Sequence, residues 1–215
     1  MQVLDHSAYE SLRAGATVLE ADKHGDKVLR LADGNFLKLF RRKRLISSAA
    51  LYPYAQRFAD NAAILSRLGI PCPDIIGVYR IGSIERDAVH YRPLPGQTLR
   101  QLIAADSTAS ELPARLGKLI AELHEQGVYF RSLHLGNVVE TPEGVLGLID
   151  LADMRKMRRA LSRRQRKRNF AHMLRYEDDR RWLLADQGAA LGKAYLRSSP
   201  VRWDQATLRQ ILNAE

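Results

Sequence analysis

Hydrophobic and polar positions alternate in short runs near the start of the chain. Thr17-Val18-Leu19-Glu20 is followed by a polar break, Ala21 to Asp26. Lys27-Val28-Leu29-Arg30-Leu31 alternates at period two, the mark of a half-buried strand. Asp33-Gly34-Asn35 is a turn signal, because Gly34 accepts positive φ. Phe36-Leu37-Lys38-Leu39-Phe40 then reads as a third strand, apolar except for its central lysine. Three strands joined by short turns predict an antiparallel meander. Arg41-Arg42-Lys43-Arg44 interrupts it. From Pro53 the period changes: Tyr54, Phe58, Ala62, Leu65 and Leu68 recur at three- and four-residue steps and predict a helix. Gly69 stands where a C-terminal cap belongs, and Pro71 stops continuation. Asp74 to Tyr79 and Ala88 to Tyr91 return to strand.

Arg92-Pro93-Leu94-Pro95-Gly96 reads as a linker, after which the pattern turns helical. Thr98 to Ala104 is a short helix. Leu112 to Gln126 is a longer one, with Leu116, Leu119, Ile120 and Leu123 on one face and Gly127 closing it. Val138-Val139-Glu140 and Val145 to Ile149 flank a Pro142-Glu143-Gly144 turn and predict a hairpin. Leu161 to Glu215 has helical spacing, with Phe170, Met173, Leu174, Trp182, Leu191, Tyr195 and Leu208 as expected core.

Composition narrows the class. A chain of 215 residues, 46% hydrophobic, makes one large domain or two lobes around a cleft. The single cysteine, Cys72, excludes an internal disulfide framework and a cysteine-rich zinc site, and fits a reducing compartment. Between two prolines, it reads as a packed small residue. Met1 to Gly15 has no apolar core of signal-peptide length, and no run reaches membrane-spanning length. The expectation is a cytoplasmic protein, soluble or peripheral at the inner membrane.

The net charge of +10 calls for an anionic partner. Much of it lies in one run. Arg155, Lys156, Arg158, Arg159, Arg163, Arg164, Arg166, Lys167 and Arg168 occupy fourteen positions without one acid. A solvated helix face normally intersperses acids to relieve repulsion, so an anion-binding surface is the better reading. Arg155, Arg158, Arg159, Arg163 and Arg164 are the candidates to hold an anionic glycolipid, a phosphosugar or an anionic membrane surface. Nucleic acid is disfavoured, because no aromatic interleaves the run.

The candidate chemistry sits in Phe130-Arg131-Ser132-Leu133-His134-Leu135-Gly136-Asn137 and in Leu148-Ile149-Asp150-Leu151-Ala152-Asp153. A loop ending in Asn, a hairpin, and an Asp after an apolar strand form the metal-and-phosphate half of a protein-kinase-like site. Asn137 and Asp150 flank the hairpin and offer the hard oxygens that Mg²⁺ prefers.

These segments resemble the small bacterial lipopolysaccharide core kinases, and in particular chains known as toluene tolerance proteins. The resemblance rests on Lys38 in its strand, Gly69-Ile70-Pro71, Leu94-Pro95-Gly96-Gln97-Thr98-Leu99, Leu133-His134-Leu135-Gly136-Asn137 and Gly147-Leu148-Ile149-Asp150. It implies an α+β, protein-kinase-like bilobal fold, with an antiparallel β-sheet lobe at 1–92 and a mainly helical lobe at 93–215. It implies ATP and Mg²⁺ as cofactors, with Lys38 on the nucleotide phosphates and Asn137 and Asp150 on the metal. His134 is expected to buttress the loop.

The chain departs from that family at three places. Phe130 and Ser132 stand where the family's loop has His and the catalytic Asp, and a serine is no comparable base at neutral pH. The helix glutamate that would pair with Lys38 has no equivalent beyond Asp60. The nucleotide loop, Ala21 to Asp26, has one glycine. Two accounts follow: a phosphotransferase of a lipopolysaccharide core sugar, slowed by loss of the Asp at Ser132 and drawing on another acid such as Asp153, or a nucleotide-binding pseudokinase scaffold at the membrane face.

Overall fold

The computed structural model describes residues 1–42 and 52–213. Lys43 and Arg44 of the expected interruption lie outside them, while Arg41 ends a strand. The chain divides into two compact units. One comprises Met1–Leu94 with Asp150–Asp153, and the other Pro95–Ile149 with Met154–Glu215.

The first unit is built on a six-stranded sheet. Its strands are β1 (Gln2–Leu4), β2 (Thr17–Asp22), β3 (Gly25–Arg30), β4 (Phe36–Arg41), β5 (Asp74–Ile81) and β6 (Arg86–Arg92). They lie in the order β1-β5-β6-β4-β3-β2. All neighbours are antiparallel except β1, which runs parallel to β5. The meander predicted over β2 to β4 is present. Its second turn is closed by Asp33, whose carboxylate accepts the Asn35 N–H at 2.9 Å.

Side-chain alternation gives this sheet two apolar faces. Leu29, Leu37, Leu39, Ile81 and Ala88 are buried beside Tyr9 of helix α1 (His6–Arg13). Phe36 and Tyr91 belong to the opposite face, where Tyr91 packs on Phe58 of helix α2 (Tyr54–Arg67) at 5.2 Å between ring centroids. Because Lys38 alternates with Leu37 and Leu39, it shares this second face. β1 and α1 were not legible in the sequence. β1 has three residues, and α1 is short and buries only Tyr9.

The second unit is mainly helical. Its helices are α3 (Leu99–Ala104), α4 (Leu112–Glu125), α5 (Arg163–Met173), α6 (Glu177–Leu183), α7 (Ala189–Ser198) and α8 (Gln205–Asn213). β7 (Gln97–Thr98), β9 (Val138–Glu140) and β10 (Leu146–Leu148) form one small sheet. β8 (Val128–Phe130) and β11 (Met154–Lys156) form another. The expected 138–149 hairpin is β9 and β10. β8 and β11 went unpredicted, since three residues are too few to show a period. Arg155 and Lys156, which open the basic run, therefore lie on a strand. Of the expected core, Phe170, Met173, Leu174, Leu191, Tyr195 and Leu208 are buried, whereas Trp182 is only half-buried.

α4 packs directly on α7, and Gly117 makes that possible: a Cβ there would collide with the Leu191 carbonyl. The core between them carries a polar chain. Arg166 donates to the Tyr195 hydroxyl at 2.9 Å, and that hydroxyl lies 2.9 Å from Nδ1 of His124. Nε2 of His124 lies 3.0 Å from Oδ1 of Asn169, whose Nδ2 donates to the Phe130 carbonyl at 2.7 Å. The order of donors is forced. Asn169 spends its N–H on Phe130, so its oxygen must accept from Nε2–H. Nδ1 must then accept from Tyr195. Burial pushes the His124 pKa down to about 4, so the ring stays neutral. Among the described residues no helix is long and apolar enough to cross a membrane.

Candidate functional site

In the first unit, Lys38 and Asp150 meet although 112 residues separate them in sequence. The ammonium lies 2.7 Å from Asp150 Oδ1, with the lysine side chain 15% exposed and the carboxylate 44%. The position of Lys38 follows from the β4 alternation and from its register opposite Val28 and Val89. Asp150 has φ +55°, a left-handed conformation that an aspartate tolerates better than most residues. It leads into a tight 3-10 turn, Leu151–Asp153. α2 holds that turn: Nδ2 of buried Asn61 donates to the Leu151 carbonyl at 2.8 Å.

This corrects the expectation for Asp60. Its carboxylate accepts from the Tyr52 hydroxyl at 2.6 Å and from Gln56 Nε2 at 2.8 Å. Burial and this acid push the Tyr52 pKa up to about 12. Lys38 finds its carboxylate in Asp150 instead, and the helix contributes Asn61, which neighbours Asp60 in sequence but serves the turn. Nothing in the sequence marked Asn61 for that task, because its acceptor is a backbone carbonyl 90 residues away. Asp153 closes the same turn and is half-buried.

The loop between β2 and β3 turns at Gly25, with φ +109°. Asp22 accepts the His24 N–H at 2.8 Å, so that backbone donor is already used within the loop. Arg86 donates to the His24 carbonyl at 2.5 Å and holds the tip from β6.

In the second unit, the loop from Phe130 to Asn137 is fastened along its length. Phe130 is fully buried and its carbonyl is held by Asn169. Ser132 supplies its carbonyl to Asn137 Nδ2 at 2.9 Å. That bond orients the Asn137 amide and leaves Oδ1 as its acceptor end. The Ile149 N–H donates to the Asn137 carbonyl at 3.0 Å, tying the loop to the far end of the hairpin. The Leu135 N–H donates to Asp179 at 3.0 Å. Asp179 is 2% exposed and is gripped by Arg100 through two bonds of 2.9 and 2.7 Å. Arg100 in turn lies over the Tyr176 ring at 4.7 Å, and His134 meets the same ring edge-on. His134 is thus placed as a buttress.

Asn169, Asp179 and Arg100 escaped the sequence reading. Asp179 stands among exposed acids at the start of α6, and only burial distinguishes it.

One member of the basic run leaves the surface. Arg166 turns inward, is 4% exposed, and pairs with Glu125 at 2.9 Å while bonding Tyr195 and Ser199. Arg155, Arg158, Arg159, Arg163 and Arg164 are exposed.

Among the described residues no three His, Cys, Asp or Glu side chains converge as a metal cage. Asp150 in the first unit and Asn137 in the second each present an oxygen of the hard kind that Mg²⁺ prefers.

No curated protein matches the chain. Among solved structures, the chain is similar to WbdD in co-crystals with the kinase inhibitor LY294002: 16% identity, TM-score 0.49, covering 87% of this chain and 41% of that one. Monomeric WbdD matches at 16% identity and TM-score 0.49, covering 89% and 43%. A further structure, described as the bifunctional kinase-methyltransferase WbdD, has a TM-score of 0.46 at 16% identity, covering 87% and 40%. The chain therefore spans well under half of those chains. The model of one family matches residues 15–214, nearly the whole length, and by it this chain belongs to the phosphotransferase enzyme family.

Proposed function

We propose that this protein is a kinase-like phosphotransferase that takes ATP with Mg²⁺ and acts on an anionic acceptor. The acceptor class is a sugar of the lipopolysaccharide core, which rests on the resemblance of the loop and hairpin segments alone. The observation that carries the reading is the Lys38–Asp150 pair, which sets a cation beside the carboxylate assigned to the metal. In this reading Lys38 neutralises nucleotide phosphates, Asp150 and Asn137 present oxygens to Mg²⁺, and the exposed arginines from Arg155 to Arg164 hold the acceptor's negative charge. Bound Mg-ATP would supply the phosphoryl group. The chain's own residues contribute position and charge, which are most of what phosphoryl transfer requires.

A second reading is favoured by one observation. The loop from Phe130 to Asn137 contains no carboxylate, and Phe130 is wholly buried. Loss of a general base slows such chemistry by about 10²- to 10⁴-fold. A nucleotide-binding scaffold of little or no turnover fits that loop equally well, unless Asp153 stands in.

Thermal melting with and without Mg-ATP tests the binding claim. Wild type is expected to gain stability at millimolar Mg-ATP, and Asp150→Ala to lose that gain; no gain in wild type refutes nucleotide binding. Single-turnover transfer to purified core oligosaccharide separates the two readings. Transfer that vanishes in Lys38→Ala supports the enzyme, and binding without transfer supports the scaffold.

A further inference from the structure

The segment from Met154 to Tyr176 contains no acid and carries nine exposed Lys and Arg side chains besides the buried Arg166. Its parts are fixed against the second unit. Arg155 and Lys156 project from β11, which pairs with buried β8. The following loop is pinned by its backbone. Met157 N–H donates to the Gly127 carbonyl at 2.7 Å, and Leu161 N–H to the His124 carbonyl at 2.8 Å. A Cβ at Gly127 would strike the carbonyl of Arg159. The loop backbone therefore faces inward, and Met157, Arg158 and Arg159 are left exposed.

α5 continues the pattern. At 100° per residue, Arg163, Arg164, Lys167 and Arg168 fall within an arc of roughly 140°, opposite buried Arg166, Asn169 and Met173. Arg163 with Lys167, and Arg164 with Arg168, are like-charged pairs at four-residue spacing, which weaken a helix. Two of these cations also stand in the first turn, at the positive end of the helix dipole, where no acid offsets them. Among the described residues none of the nine forms an ion pair with a carboxylate.

Two exposed helix cations elsewhere in the chain do face acids one turn away. Arg181 lies 3.2 Å from Glu177, and Lys118 lies 3.8 Å from Glu122. The cations around His172 are close enough to act together: burial, then Arg168, Arg131 and Arg175, hold that ring's pKa down.

We propose that this basic segment docks the protein on an anionic lipid bilayer. A lamellar surface suits it better than a single phosphate, because the charge is spread over a strand, a loop and a helix face. Exposed Met157, between Lys156 and Arg158, gives the loop an apolar tip suited to the headgroup boundary. A nucleic-acid strand would use aromatic platforms, which the run lacks. The proposal deepens the reading above by naming the surface at which a lipid-linked acceptor is met. Its test involves no nucleotide, so the two can fail separately.

The test is co-sedimentation of the full chain with vesicles of phosphatidylcholine alone and with vesicles containing phosphatidylglycerol, near physiological ionic strength. Capture is expected only with phosphatidylglycerol and is expected to fall as salt rises. Arg164→Gln combined with Arg168→Gln should weaken it roughly 25-fold, at about fivefold per cation near the surface. Met157→Ser should weaken it without changing the salt dependence, and Lys118→Gln should leave it unchanged. Equal capture by both vesicle types, no capture, or an unaffected arginine double variant would overturn the proposal. Displacement by duplex DNA at the same salt would reassign the face to nucleic acid. Displacement by millimolar inorganic phosphate at constant ionic strength would reassign it to a single-phosphate site.

Discussion

Replacing His124 by Phe should make the stability of this protein less sensitive to acid, and the magnitude follows from the buried chain of Arg166, Tyr195, His124, Asn169 and Phe130. His124 is fully buried and its pKa is lowered from 6.5 to about 4 by desolvation. In the unfolded chain it binds a proton below its ordinary value; in the folded chain it does not until about pH 4. The unfolded state therefore holds more protons across that window, and stability must rise with pH there. The histidine's contribution is complete above about pH 6.5 and is lost as pH falls to about 4. At roughly 1.4 kcal/mol per pH unit the loss is about 3 kcal/mol.

Phe keeps the edge-on packing with Phe170 but removes both ring hydrogen bonds. Tyr195 loses the acceptor for its proton, and Asn169 Oδ1 loses its donor, at about 1–3 kcal/mol each. Urea unfolding at a series of pH values is the assay. At neutral pH the variant should be less stable by about 2–6 kcal/mol. On acidification toward pH 4 the two curves should converge by about 3 kcal/mol. Glu125, held below its ordinary pKa against burial by Arg166 and Ser199, also destabilises the fold in acid, but it is present in both proteins. Parallel curves would refute the reasoning, since they would mean that His124 is not held neutral.

Further tests address the loop held by Asp179, the turn held by Asn61, and the helix packing. Asp179→Asn keeps the shape but removes the charge that Arg100 grips. It should cost about 1–3 kcal/mol, less than a fully buried pair because Arg100 is 43% exposed, and should speed hydrogen exchange at the Leu135 amide. Unchanged exchange would show that the loop is held without it. Asn61→Leu strips the donor from the Leu151 carbonyl, should cost about 1–3 kcal/mol, and should reduce the stabilisation by Mg-ATP along with it. An undiminished ligand effect would separate the turn from the site. Gly117→Ala forces α4 away from the Leu191 carbonyl and should destabilise by about 1–3 kcal/mol, read as a lowered melting temperature; a neutral result would mean that α7 shifts freely.

Local pattern alone carried a good share of the architecture. The β2–β4 meander, α2 with its Gly69 stop, the 138–149 hairpin and α4 are each long enough, or punctuated sharply enough, to show their period. The segments that failed, β1, α1, β8 and β11, are short, and their stability comes from neighbours rather than from propensity. The same division holds for the site. Asn137 and Asp150 could be singled out because spacing around a hairpin is a sequence property, and Lys38 because it interrupts an apolar strand. Asn61, Asn169, Asp179 and Arg100 could not, because a buried amide or carboxylate that serves a distant backbone group leaves no periodic trace.

What the amino-acid order determined by itself was therefore the kind of fold, a 130–137 loop with no carboxylate, and a dense run of positive charge. Only the tertiary structure decided that Lys38 would find Asp150 rather than Asp60. Only it turned Arg166 inward while its neighbours stayed in water. The reason is physical: ion pairing and burial depend on which groups folding brings within a few ångströms, across separations that local sequence does not encode.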